Sequence, residues 1–301
     1  NLLMANRLMP RLGSHMSIAG GLPLAIDRAH AADCETLQIF TKSARQWRPN
    51  ALPAKEITAF KKRANDLNIW PIVAHASYLI NIASPDPELR QRSLQALTVE
   101  MDRAEALGLL GLVLHPGSFT TGTEAGGLKL VSEAITELMA ERPTGKAMLL
   151  LEHTAGQGTN LGHRFEHLST IIEGSKESAR LGVCLDTCHL LAAGYDIATE
   201  EGYDSTFKQF ENTIGWSRLK VLHMNDSKHP AGSRRDRHDH IGKGFVGLEA
   251  FGRLLRDPRL DGLPMILETP KSTEKSTDPN TVDSDDKRNL QALRKLLNEG
   301  S

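Results

Sequence analysis

The sequence predicts an α/β fold, a single (β/α)8 TIM barrel, and three observations carry that prediction. Eight short aliphatic or β-branched runs alternate with eight longer amphipathic stretches. No Gly/Ser-rich linker divides the 301 residues. Seven of the eight runs end on or beside a histidine, aspartate or glutamate, and the C-terminal ends of barrel strands are where such folds build their sites.

The elements follow in order. RLGSHM (11–16) is the first strand, ends near His15, and leads to a helical pattern at 20–32. TLQIF (36–40) precedes a helix at 55–67, and IWPIVAH (69–75) ends on His75 before a helix at 87–107. GLVLH (111–115) ends on His115 and KAMLLLE (146–152) on Glu152, followed by helices at 125–141 and 164–174. LGVCLD (181–186) ends on Asp186, LKVLHM (219–224) carries His223, and LPMILE (263–268) ends on Glu268. Helical patterns at 202–213, 247–256 and 284–298 complete the rhythm. An open doubly wound sheet is the alternative, but eight units favour closure. The expected organisation is one domain over 1–301, with 1–10 a flexible extension and polar 271–286 a loop into the last helix.

Composition narrows the class. With 40% hydrophobic and 24% charged residues the chain is neither disordered nor fibrous. Its three cysteines form no disulfide framework, which predicts a reducing, cytoplasmic setting. No apolar run reaches the ~18 residues a membrane helix needs. The net charge of −1 gives no global sign of nucleic-acid binding.

A single strand-end histidine is ordinarily a hydrogen-bonded structural residue. A rim crowded with carboxylates and imidazoles is different, because unpaired buried charges are costly and metal ions compensate them. In VCLDTCHLLAAGYD (183–196), a helix starting at Thr187 would keep His189 on the rim beside Asp186; a helix cap plus a surface histidine is the plainer reading. Cys184 and Cys188 are read as buried thiols. In HMNDSKHPAGSRRDRHDHIGKG (223–244), Asp236 and His238 alternate on an extended loop and can face one ion, with His240 competing at the same parity and His229 left to solvent. Arg234, Arg235 and Arg237 suit phosphate, against the plainer reading of a solvated basic loop. Thr41, Lys42, Arg45 and Trp47 follow the second strand, where cations and an aromatic suit a DNA backbone or unstacked base. Tyr78 and Leu79, just past His75, are placed to wedge into a duplex or to pack under a loop. GQGTNLG (156–162) lacks the P-loop Lys-Ser/Thr and is read as a turn, and His153 points away from the rim by strand alternation.

HASYLIN (75–81), LHPGS (114–118), LEHTAGQG (151–158), VCLDTCHLLAAGYD, HMNDSK (223–228), GSRRDRH (232–238) and ILET (266–269) together resemble the endonuclease IV family of zinc-dependent apurinic/apyrimidinic endonucleases, from GSHMSIAGG (13–21) to ILETPK (266–271). The resemblance implies a barrel of the xylose-isomerase-like superfamily holding three Zn²⁺; imidazole with carboxylate also tolerates Mn²⁺ at one site. It implies His75 and His115 at a first ion, with Glu152 bridging to a second and orienting the attacking hydroxide. Asp186, His223 and Glu268 complete the second, and His189, Asp236 and His238 hold the third, so that His238 is selected over His240. His15 is left a supporting role behind the ligands. Arg45, Tyr78 and Leu79 would enter DNA at the lesion, joined by Lys42, Arg234 and Arg235. The implied reaction cuts double-stranded DNA 5′ to an abasic site, leaving 3′-hydroxyl and 5′-deoxyribose phosphate ends. A monomer with no membrane partner is the separate expectation for this chain. The chain departs from the family pattern at His153, where Asn is expected, and at Lys243, where Glu is expected nearby. A one-metal sugar isomerase or epimerase would need only Glu152, Asp186, His223 and Glu268, leaving the other ligands without a task. A non-catalytic damage binder would be expected to have lost ligands.

Overall fold

The computed structural model describes residues 8–272, 278 and 280–299. Its strands in chain order are β1 (Arg11–His15), β2 (Thr36–Ile39), β3 (Ile72–His75), β4 (Gly111–Leu114), β5 (Met148–Glu152), β6 (Leu181–Asp186), β7 (Leu219–His223), β8 (Asp226–Ser227), β9 (His238–Asp239) and β10 (Pro264–Leu267). The long ones close a parallel barrel in the order β1-β10-β7-β6-β5-β4-β3-β2, while β8 and β9 form a two-stranded antiparallel hairpin. The surrounding helices are α1 (Leu22–Ala31), α2 (Ala54–Asp66), α3 (Pro87–Ala106), α4 (Glu124–Ala140), α5 (Phe165–Gly174), α6 (Thr187–Ala193), α7 (Glu200–Thr213), α8 (Gly247–Arg256) and α9 (Ser284–Asn298).

No expected strand or helix boundary moves by more than three residues. Local chemistry explains the sharpness. Asp86 caps α3 through the amides of Glu88 and Leu89, with Pro87 preset at the first helical position. Thr123, Thr199 and Asp283 cap α4, α7 and α9. The sequence does not announce the hairpin, because two residues a side are too short to show alternation. Of the expected N-terminal extension, residues 1–7 lie outside the described residues; Leu8 and Met9 are exposed, but Pro10 is already buried. In the 271–286 loop, residues 273–277 and 279 lie outside them as well.

The core has two parts. A large apolar layer joins the outer faces of the strands to the helices, with Phe60, Phe165, Phe207, Phe210 and Phe251 fully buried in it. A smaller plug of Val73, Val113, Leu150, Cys184, Val221 and Ile266 fills the barrel. Side chains two apart on a strand share a face. His75, His115, Glu152, Asp186, His223 and Glu268 therefore each stand one layer above the plug residue of their own strand, and the parallel register sets Asp186 opposite His223 and Glu152 opposite Cys184. A one-residue slip of any strand would turn its ligand out of the barrel.

Closure brings backbones very near at β1. A Cβ on Gly13 would lie 1.9 Å from the Thr36 carbonyl oxygen of β2, and no rotamer relieves a backbone clash. Gly13→Ala is expected to lower stability by about 3 kcal/mol, read as a drop in the urea midpoint; an unchanged midpoint would mean that β1 and β2 can part without cost.

Candidate metal centre

Nine donors meet at the C-terminal mouth of the barrel. His75 Nε2 and His115 Nε2 lie 3.1 and 3.0 Å from Glu152 Oε2. On the other side of the same carboxylate, Oε1 lies 3.1 Å from His223 Nδ1, which is also 3.2 Å from Glu268 Oε2 and 3.8 Å from Asp186 Oδ2. A third group sets His189 Nε2 and His238 Nε2 3.1 and 3.3 Å from Asp236 Oδ1, with Asp186 Oδ2 3.5 Å from His238 Nε2. Asp186 thus stands between the second and third groups. Donors around a tetrahedral zinc with bonds of about 2.0–2.1 Å are about 3.3 Å apart, which is the spacing seen in all three groups.

The outer nitrogens make the case for cations stronger. His75 Nδ1 donates to the Ala76 carbonyl at 2.8 Å, His189 Nδ1 to the His153 carbonyl at 2.8 Å, and His238 Nδ1 to the Glu268 carbonyl at 3.0 Å. His223 Nε2 donates to Gln38 Oε1 at 2.7 Å. Carbonyls only accept, so each of these rings keeps its proton on the outer side. Its inner lone pair then faces a carboxylate, and two lone pairs at such distances need a positive charge between them. His189 Nε2 and His238 Nε2 are buried and, among the described residues, have no hydrogen-bond partner although Asp236 is adjacent.

In the chain alone, protons fill that need. Burial disfavours an imidazolium at His75, but the hydrogen bond and charge of Glu152 outweigh it and push its pKa up to about 9. At His238 burial is outweighed by the charge of Asp186 and by the adjacent Asp236 carboxylate, again reaching about 9. Burial would raise the Glu152 carboxyl, yet the charges of His115 and His223 hold it well below the usual range. Glu268, also desolvated, is brought to about 2 chiefly by His223. His15 differs. Burial lowers its pKa to about 3, so it is neutral; its ring sits edge-on to Phe40 with Nδ1 3.1 Å from Gln38 Nε2, behind the donors.

Sequence reasoning passed over several supports. β2, which carries no ligand, supplies buried Gln38, which donates to Glu268 Oε1 at 2.6 Å while accepting from His223. Asn225 donates to Asp186 Oδ2 at 2.7 Å and accepts from the Glu268 amide at 2.7 Å. Gln157, in the Gly-rich turn, accepts from the Asp236 amide. Buried Asp226 gathers the amides of Ser227, Gly242 and Val246 and so folds the 239–247 segment onto the hairpin that carries His238. Amide side chains inside a strand or turn leave no periodic trace; only the strand-end position of Gln38 was a usable signal.

The remaining candidates divide. Tyr78 is 74% exposed, edge-on to Phe40 and tilted beside His75; Arg45, Arg234 and Arg235 are exposed and Leu79 half-buried. Arg237 lines the mouth cavity, of about 440 Å³, together with Tyr78, Phe40 and the histidines. Lys42 is a correction. It is 5% exposed and its ammonium lies 3.1 Å from the Glu100 carboxylate, so it is committed to an internal ion pair and cannot reach DNA. His240 contacts Asn289 on α9 rather than the cluster. His153 faces Phe165 and Tyr195 in the helical layer, and Cys188 donates to the Arg237 carbonyl. His229 is half-buried.

A family model described as "Xylose isomerase-like TIM barrel" matches residues 26–296. A protein named "Probable endonuclease 4" from Chloroflexus aurantiacus is 46% identical over 289 residues, 96% of this chain and 99% of that one. Another of that name, from Trichlorobacter lovleyi, is 46% identical over 285 residues, 95% and 99% of the two chains. The crystal structure of endonuclease IV from Thermus thermophilus superposes with a TM-score of 0.84 at 37% identity, covering 96% of this chain and 100% of that one. A D-tagatose 3-epimerase-like protein, 19% identical with a TM-score of 0.68, shares the barrel. Since likeness at this level runs the length of both partners, the chain belongs to the endonuclease IV family.

Proposed function

We propose that this chain is a metal-dependent endonuclease of base excision repair that hydrolyses the phosphodiester bond 5′ to an abasic site in duplex DNA, leaving 3′-hydroxyl and 5′-deoxyribose phosphate ends. The observation that carries the reading is the surplus of donors. Glu152, Asp186, His223 and Glu268 would serve a single-ion sugar isomerase, yet His75, His115, His189, Asp236 and His238 stand beside them at ligand spacing.

In this reading His75, His115 and Glu152 hold one ion, Glu152, Asp186, His223 and Glu268 a second, and His189, Asp236 and His238 a third. Zinc suits imidazole with carboxylate, and manganese is acceptable at one position. Bound there, the ions would supply Lewis-acid charge to the phosphate and lower the pKa of water to about 7, providing a nucleophile at neutral pH.

The chain's own groups do the rest. Glu152 directs its two oxygens to two different donor groups, so that it would be shared by the first two ions. Gln38 and Asn225 hold Glu268 and Asp186 in fixed orientations. A cavity of about 440 Å³ admits a nucleotide unit but not a duplex, so the target must turn out of the helix, and a missing base reduces the cost of unstacking. Arg45, Arg234, Arg235 and Arg237 would meet phosphates, and Tyr78 with Leu79 would fill the gap left in the duplex. No helix among the described residues is long and apolar enough to cross a membrane. The three cysteines are free and buried, which suits the reducing cytoplasm, and we take the working form to be a monomer.

Glu152→Gln keeps the shape and removes the shared charge. It is expected to cut incision of a single-abasic-site duplex more than about 100-fold and to lower bound metal from three ions per chain; full incision by the variant or by chelated wild type would sink the proposal, and one ion per wild-type chain would favour the isomerase. Gln38→Ala removes only a support, so a loss of about 10- to 100-fold in metal affinity or activity is expected, against wild-type metal titration if Gln38 merely fills space. Metal uptake near neutral pH must displace protons from His75 and His238, whose pKa values are raised to about 9. Apparent affinity should therefore fall as pH falls; calorimetric heats that do not depend on the buffer's ionisation enthalpy would contradict this.

A further inference from the structure

Two loops on the rim, residues 41–50 and 76–82, are joined underneath by one buried ion pair. Glu100 of α3 is 1% exposed. Its carboxylate faces Lys42 Nζ at 3.1 Å and accepts from the Ser77 amide at 3.1 and 3.3 Å. The Lys42 ammonium completes its three donors on the carbonyls of Gln46 at 2.5 Å and Ser43 at 3.3 Å. Ser77 Oγ donates to the Ala44 carbonyl at 2.6 Å and accepts from the Leu79 amide at 3.3 Å.

The pinned atoms flank the exposed residues. Ala44 and Gln46 are held on either side of Arg45, and Ser77 and Leu79 on either side of Tyr78, while the Arg45 and Tyr78 side chains stay in solvent. Further along α3, Arg103 donates to the Thr41 and Asn50 carbonyls at the two ends of the first loop, and Arg92 lies 4.3 Å over the Trp47 ring. A surface loop needs none of this to stay folded, and burying an ion pair is itself costly. What the arrangement secures is a fixed spacing between a cation and an aromatic that come from different strands.

We infer that the Lys42–Glu100 pair is a clamp that presents Arg45 and Tyr78 to DNA as one preorganised unit, and that Glu100 and Lys42 are positioning residues for lesion binding. The inference rests on the reading that Arg45 and Tyr78 touch DNA. Preorganisation lowers the ordering cost of association, so loosening the clamp should weaken binding without reaching the metal donors.

The test uses full-length metal-loaded enzyme and a duplex oligonucleotide with one abasic site. Glu100→Gln, Lys42→Met and the double variant are compared for metal content, KM, kcat and amide hydrogen exchange at 43–47 and 76–80; Glu100→Gln retains an acceptor for Ser77 and guards against misfolding. The clamp predicts full metal content, exchange faster by about tenfold in both loops, and KM raised by about tenfold with kcat within about threefold. The double variant should be no worse than the worse single one. Wild-type KM in all three variants, while Arg45→Ala and Tyr78→Ala raise it, would overturn the clamp and leave the DNA reading standing. Arg45→Ala and Tyr78→Ala that leave KM unchanged would overturn both. Exchange rising in one loop alone would show that the pair does not couple them, and would overturn the clamp as well.

Discussion

The Glu152 carboxylate is fully buried at the mouth of a closed barrel, with imidazole nitrogens of His75 and His115 facing one oxygen and of His223 and His189 facing the other. A charge in that position is tolerable only if every direction around it offers positive compensation. Three strands and one short helix supply those imidazoles. Each of His75, His223 and His238 turns its protonated nitrogen outward to a carbonyl, and His189 holds its Nδ1 proton between the His153 carbonyl and Glu152, which leaves the remaining lone pairs to be bridged by cations. The centre is in this sense built from the outside in: the carbonyls choose the tautomers, and the tautomers decide what can bind.

The barrel supplies the placement that this chemistry needs. Period-two alternation places the apolar plug directly below the donors, so the same strands that pack Val73, Val113 and Leu150 raise His75, His115 and Glu152. Packing and chemistry share one register, and neither can shift alone. α6 extends the donor set without another strand: Asp186 both ends β6 and caps the helix through the His189 amide, which fixes His189 one turn from its strand partner. The β8–β9 hairpin brings the last two donors, held down by Asp226 beneath and by Gln157 alongside.

Charge explains how a chain of net −1 can address a polyanion. Four carboxylates, Glu152, Asp186, Asp236 and Glu268, are gathered inside the cluster, where ions would overcompensate them; three divalent ions would take the chain to about +5. The arginines on the rim face solvent, and the field of the mouth would be focused by the low-dielectric barrel wall. Lys42 plays no part in that field at the surface, since its ammonium is neutralised beneath it by Glu100.

Much of this was legible in the chain. Strand-helix alternation specified the barrel because the two periods, 2 and 3.6, are local properties of neighbouring residues. The strand-end positions of His75, His115, Glu152, Asp186, His223 and Glu268 placed them on one rim for the same reason. What the chain alone left open was which loop side chains face inward. Lys42 and Arg45 are neighbours in one polar run, and nothing local distinguishes them, yet one meets Glu100 and the other meets water. Gln38, Asn225 and Gln157 acquire their tasks only from partners that lie 39 to 230 residues away. Sequence by itself determined the barrel and the donors on its rim, since both follow from alternation along single strands. The pairing of buried charge with buried charge, and hence which cations are free to meet DNA, was decided by tertiary structure, because desolvation depends on what the rest of the chain brings alongside.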